Sequence, residues 1–182
     1  MTRRVAYADP PYLGVAAKHY AAHHEQAADY DDPATHAALI RRLEADFDAW
    51  ALSLSSPSLR TILPMCPPTV RVMAWVKPFA SFKPGVNPAY AWEPVIVKCD
   101  APRSRTEPTV RDWVASNITL EKGLAGAKPV EFSFWLFSVL ALAPDDEFVD
   151  VFPGTGAVTA AHRAWLGLAQ QAPLFELEAV GG

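Results

Sequence analysis

Cysteine is scarce in this chain: Cys66 and Cys99 are the only two among 182 residues, and they show no metal-ligand spacing. The expectation is a pair of reduced thiols in a cytoplasmic protein. Long apolar runs are missing as well. The longest, Phe132 to Ala143, is about half of the ~20 residues needed to cross a bilayer, so it reads as a buried helix. The start Met1-Thr2-Arg3-Arg4 is basic, but Asp9 interrupts the apolar core of a secretory signal. No Gly-Lys-Ser/Thr phosphate loop is present, which argues against a nucleoside triphosphatase. Nor is there an excess of positive charge, since the net charge is −4.

What is present describes one folded domain over residues 1–182 with one core. Apolar residues make up 51% of the chain, far from the composition of a disordered protein. Seventeen prolines argue against long uninterrupted helices through the middle. The charge is unevenly spread: between Arg60 and Arg111 eight cations face three acids, a local +5. Such a stretch can track phosphates inside an acidic protein, and it can equally be an ordinary solvated surface.

Two phrases near opposite ends carry the chemistry, Asp9-Pro10-Pro11-Tyr12 and Asp150-Val151-Phe152-Pro153-Gly154-Thr155-Gly156. Each follows a short apolar run that reads as a buried strand, Val5 to Ala8 and Phe148-Val149. Open α/β sheets place their chemistry at the carboxyl edge, where strands end in special turns. Gly154 and Gly156 allow a tight turn and close backbone approach to a ligand, with a helix start following. Consecutive prolines stiffen the other turn and add no competing N–H.

The remaining periodicities predict an alternation of strand and helix. Asp32-Pro33 starts a helix over 33–48, with Leu39, Ile40, Leu43 and Phe47 at helical spacing. Strands are expected at Trp50–Leu54, Val70–Val76 and Trp92–Val97, with Pro94 marking the last as an edge or a strand start. Residues 57–68 read as broken and turn-rich, and 100–126 as irregular with a helical turn near 110–116. Lys128-Pro129 opens a helix over 130–142. The last strand–turn–helix runs from Phe148 to about Leu168, followed by a short strand Leu174–Leu177. The fold class is α/β, a mostly parallel sheet with helices on both faces.

In this order the phrases resemble the S-adenosylmethionine-dependent DNA amino-methyltransferases, which methylate the exocyclic amine of adenine or cytosine. Asp9-Pro10-Pro11-Tyr12 looks like that family's catalytic motif, and Asp150 to Gly156 like its cofactor motif. Lys128-Pro129 looks like the Lys-Pro segment before the cofactor strand, which implies that both residues bind the cofactor, and Trp92 to Val97 looks like a late sheet strand. Val151 and Ala157 depart from the family's commoner proline and threonine. The order is that of the circularly permuted group. The resemblance implies a Rossmann-like methyltransferase fold, minimal and short of one strand, so that a homodimer or partner subunit completes the cofactor pocket.

It further implies roles. Asp9 and the Pro10 carbonyl accept hydrogen bonds from the target amine, and Tyr12 stacks on a base flipped out of DNA. Asp150 faces the methionine ammonium of the cofactor, with Phe152 and Thr155 lining the pocket. An acid about 20 residues past the glycines often holds a ribose. Glu176 and Glu178 both lie there, Glu178 being favoured as the strand's end. The segment Asp100–Lys122, with Arg103, Arg105, Arg111 and Trp113, is the candidate for DNA recognition. His19, His23 and His24 lack a third ligand with clear spacing, so no metal is expected, and His36 and His162 read as helix-surface residues. Adenine N6 is the favoured target. Cytosine N4, RNA, a small molecule, and an inactive nucleic-acid-binding homologue remain the alternatives.

Overall fold

The computed structural model describes residues 2–17, 27–79, 85–121 and 124–179. Its centre is a six-stranded sheet in the order β5-β3-β4-β2-β1-β8. The strands are β1 (Arg4–Ala8), β2 (Ala49–Ser53), β3 (Arg71–Val76), β4 (Trp92–Cys99), β5 (Trp113–Ala115) and β8 (Glu147–Asp150). β1 pairs in parallel with both β2 and β8, and β3 with β5, while β4 runs against its two neighbours. The sheet is therefore mostly parallel, with β4 alone reversed. β6 (Thr119–Glu121) and β7 (Leu124–Ala127) form a separate antiparallel pair.

Alternation along the strands feeds two cores, one on each face. On one side Val5 and Tyr7 of β1, Met73 and Trp75 of β3, and Val95 and Val97 of β4 pack under α3 (Val130–Val139) and α4 (Ala157–Ala179). On the other, Ala6, Ala8, Trp50, Leu52 and Ile96 meet α1 (Pro33–Asp46) and α2 (Leu59–Ile62). α1 starts as its sequence dictates. Asp32 caps it by accepting from Ala34 N at 2.9 Å, and Pro33 fills the first turn. α3 follows Pro129 and is apolar almost all round, which suits burial. Arg103 donates to Ser138 O and Val139 O at 2.8 and 2.7 Å, placing a cation on the carbonyl end of α3.

Several sequence expectations are corrected. The segment 174–177 is not a strand: α4 runs on through it to Ala179. Gln170, Gln171, Ala172, Leu174, Glu176, Leu177 and Glu178 are strong helix formers, and together they outweigh Pro173. β8 is consequently an edge strand. Pro94 sits in an interior strand, not an edge. It lies one residue beyond the last β2–β4 pair, Ser53 with Val95, so its missing N–H falls where that ladder stops. The helical turn expected near 110–116 is the strand β5, extending the sheet alongside Ala74 to Val76. The rest of 100–126, expected to be irregular, contains the β6–β7 pair.

His36 is buried, not on the helix surface, and its Nε2 meets Tyr30 O at 2.9 Å. His162 is half-buried, its ring packed against Phe148 and Phe137. His19, His23 and His24 lie outside the described residues. Among the described residues no helix is long and apolar enough to cross a membrane.

Phe132 joins the first core to the carboxyl edge. It is fully buried against Tyr7, Trp75 and Trp135, with ring centroids 5.9, 5.1 and 5.8 Å away. Phe132→Ala is expected to cost about 3–5 kcal/mol. Urea unfolding should show this as a lower midpoint at an unchanged slope.

Candidate active site

β1 and β8 end side by side. In their parallel register Tyr7 opposes Asp150, and Val151 N donates to Tyr7 O at 2.8 Å. The Asp9-Pro10-Pro11-Tyr12 turn and the glycine turn therefore leave the same carboxyl edge from adjacent strands. The β3–β4 connection reaches that edge too, because β3 runs parallel to β1 and β4 returns from it.

Around Asp9 the structure assembles a compact charged cluster. Lys128, on the approach to α3, places Nζ 3.1 Å from Asp9 Oδ2, 3.5 Å from Glu93 Oε2 and 3.2 Å from the Tyr12 hydroxyl. The Tyr12 hydroxyl lies 3.1 Å from Asp9 Oδ1 and 2.9 Å from Glu93 Oε2, so its single proton serves one carboxylate at a time. Lys77, just past β3, pairs with the other oxygen of Glu93. Both ammonium groups sit over the buried Trp75 ring, Lys77 at 4.7 Å and Lys128 at 4.9 Å. The Trp75 indole is fixed in turn by donating to Ser116 O at 2.9 Å.

Burial on its own would raise the Glu93 carboxyl, but Lys128 and Lys77 outweigh it and hold it below the ordinary value. The phenols respond the other way. Burial first, then the Asp9 carboxylate, pushes both Tyr7 and Tyr12 well above theirs, so Tyr12 remains a donor. Pro10 and Pro129 are buried, and Pro11 is half-buried.

Asp150 differs from Asp9. Its Oδ2 accepts from Thr159 Oγ1 at 3.2 Å and the Phe152 backbone N–H also supports the carboxylate, whereas its Oδ1 is buried with no hydrogen-bond partner among the described residues. Burial, reinforced by the Asp9 charge, raises its pKa. An unsatisfied acceptor at a strand end, next to a glycine turn, fits a cationic group of a ligand. Gly154 and Gly156 adopt φ of +46° and +76°, the left-handed region that glycine enters without strain. Gly156 O takes up Ala160 N at 2.8 Å, and Thr155 Oγ1 accepts from Ala157 N at 3.3 Å, starting α4 directly after the turn. Phe152 is half-buried, its ring edge-on to Tyr30 at 5.6 Å.

Of the residues singled out from sequence, the structure brings together Asp9, Pro10, Tyr12, Lys128 and the turn Asp150 to Gly156. Lys128 contacts the Asp9 turn. Glu176 and Glu178 lie on the helical backbone of α4, where positions two apart do not share a face, so the strand-end role has no strand to rest on. Arg103 is committed to the end of α3. Arg105 is exposed, and Arg111 stacks at 5.4 Å over Trp113, which is 43% exposed on β5. Glu93, Lys77 and Thr159 were missed by sequence reasoning. Glu93 was detectable as an acid inside the apolar run Trp92 to Val97, and Lys77 as a cation ending an alternating strand.

No family model and no curated protein matches the chain. Among solved structures it is similar to one described as the crystal structure of the M1.HpyAVI-SAM complex. The TM-score is 0.59 and the identity 15%, over 91% of this chain and 79% of that chain. The likeness is one of fold, a mostly parallel Rossmann-like sheet with helices on both faces.

Asp150 gives a test with a definite sign. A carboxyl whose folded pKa is raised burdens the native state once pH exceeds the unfolded value of about 3.9, and most fully above the folded one. Without ligand, Asp150→Asn should melt higher than wild type at pH 7. The gain should fade as pH falls below about 4, as read by calorimetric melting across pH.

Proposed function

We propose that the protein transfers a methyl group from S-adenosylmethionine to the exocyclic amine of a base in DNA, adenine N6 being the favoured target. One observation carries the reading: the β1–β8 register sets the Asp9 turn beside the glycine turn, with a partnerless Asp150 oxygen at the second. The fold likeness to a SAM complex supports the cofactor. The resemblance of Asp9-Pro10-Pro11-Tyr12 to the amino-methyltransferase motif supports the acceptor.

The chemistry follows from what an exocyclic amine lacks. Its lone pair is delocalised into the ring, which makes it a poor nucleophile. Asp9 and the Pro10 carbonyl would each accept one of its hydrogens, drawing the nitrogen toward tetrahedral geometry and stabilising the positive charge that develops. Tyr12 offers its ring to the base while its hydroxyl stays tied to Asp9 or Glu93. Reaching this turn requires the base to leave the duplex. Asp150 would take the cofactor's ammonium on Oδ1, with Phe152 and Thr155 along the pocket and Gly154 and Gly156 giving close backbone approach. When bound, the cofactor supplies an electrophilic methyl group. Arg105, Arg111 and Trp113, with the basic 60–111 stretch, would hold DNA through phosphate contacts and stacking.

A second reading, an inactive methyltransferase-like binding subunit, is favoured by one feature. β8 is the edge of the sheet, leaving the glycine turn without a strand on its outer side. A homodimer or a partner subunit could supply that side.

Mass spectrometry of nucleosides from DNA incubated with protein and labelled cofactor is expected to detect N6-methyladenine. Asp9→Ala should abolish the product while calorimetry still registers cofactor binding and circular dichroism an unchanged fold. Asp150→Asn should weaken cofactor binding roughly 10- to 100-fold, the worth of a hydrogen bond to a charged group. Cofactor binding without any methylated nucleoside would favour an acceptor other than DNA, an RNA or a small molecule; no cofactor heat at all would favour the binding-subunit reading.

A further inference from the structure

We propose that Glu93 is a positioning residue of this site: it receives the Lys128 ammonium when the target amine engages Asp9. The proposal rests on the methyl-transfer reading of the same site and concerns a residue to which the sequence analysis gives no role.

The geometry shows why such a receiver is needed. Lys128 holds Asp9 Oδ2 at 3.1 Å, and the Tyr12 hydroxyl, shared with Glu93, stands 3.1 Å from Oδ1. An incoming amine that donates to Asp9 competes with a full ammonium charge, which makes the stronger hydrogen bond. The Lys128 side chain is 6% exposed, so its charge has no ready escape to water. A second anion must therefore hold it inside the protein.

Glu93 meets that requirement. Its Oε2 stands 3.5 Å from Lys128 Nζ, longer than the contact to Asp9. A short shift toward the ~2.8 Å of a charge-assisted bond would release Asp9 without exposing the cation. The Tyr12 hydroxyl bridges the same two carboxylates, so its proton can follow whichever anion needs it. Lys77 pairs with the other Glu93 oxygen and steadies the carboxylate, and Trp75 lies beneath both cations. The reacting amine touches Asp9; Glu93 acts on it through Lys128.

The test is a pair of variants in the full chain, assayed by single-turnover methyl transfer to a DNA oligonucleotide mixture and by calorimetric titration with S-adenosylmethionine. In Glu93→Gln the ammonium stays on Asp9. The rate should fall roughly 100-fold, the scale of losing one preorganised contact, with cofactor Kd changed less than twofold. Adding Lys128→Met removes the competing cation and should recover at least about tenfold over the single variant, within the range of coupling between contacting residues. A residue needed only for folding would give no such rescue, because the second change strips a further partner from the cluster. A double variant no faster than Glu93→Gln, with cofactor binding intact in both, overturns the proposal and leaves the methyl-transfer reading standing. A wild-type protein that binds cofactor but yields no methylated nucleoside overturns that reading, and the role of Glu93 with it.

Discussion

The pairing of β1 with β8 is the constraint on which the rest depends. Arg4 and Glu147 are 143 residues apart, yet their side chains meet at 2.9 Å and their strands share a ladder. Closing so long a loop costs entropy that grows only slowly with length, so a short ladder with supporting contacts can sustain it. Arg3 adds a second tie. Its backbone N donates to Asp146 Oδ1 at 3.1 Å, its guanidinium pairs with the same carboxylate, and its carbonyl accepts from Glu147 N at 2.8 Å. These contacts sit at the starts of the two strands, and the two candidate turns sit at their ends. Register transmits the one to the other.

Once the turns are adjacent, charge decides their characters. Asp9 and Glu93 face Lys77 and Lys128 across Trp75 and Tyr12, two anions balanced by two cations. Burying ions is costly unless each is paired and hydrogen-bonded, and here each is. Asp150, one strand away, is held by Thr159 and the Phe152 backbone N–H, and its Oδ1 has no hydrogen-bond partner among the described residues. The contrast separates a closed network around the proposed amine acceptor from an open acceptor suited to a cationic ligand. Phe132 lies behind the first of these, 5.7 Å from Lys128 Nζ, and links the cluster to the core under α3.

Local signals made the skeleton readable. Asp32-Pro33, Lys128-Pro129 and the glycine turn each mark a helix start by a mechanism acting within a few residues, and α1, α3 and α4 begin there. The apolar runs of β1, β2 and β8 were readable for the same reason. What failed depended on distant partners or on competing propensities. Pro94 suggested an edge or a strand start; it lies near the start of β4, but β4 is interior, and the sequence around Pro94 cannot show that the β2 ladder ends one residue earlier. Residues 113–115 are too few to display a period, and pairing with Ala74 to Val76 makes them a strand. His36 gave no sign that Tyr30 O would receive it. At the site, the turn residues were legible because their conformational demands are local. Glu93 and Lys77 stood out only as charges beside apolar strands; their role was not legible, because it comes from Lys128 arriving from another part of the chain.

The two sheet edges are unequal, and the inequality bears on the site. β5 is three residues long and β8 four, so neither offers a long unpaired ladder. β8 also carries Glu147 and Asp150, and short, charged edges resist indiscriminate pairing. The glycine turn nevertheless leaves that very edge, so its outer side is walled by no strand, while the Asp9 turn is flanked by β8 on one side and β2 on the other. The turn proposed to orient an amine, a task that tolerates little misplacement, is thus the one flanked by strands on both sides. The turn proposed to take the cofactor is the one on the sheet's edge. With α4 continuing as helix where a further strand was expected, a surface that encloses the outer side of the glycine turn has to come from outside the sheet.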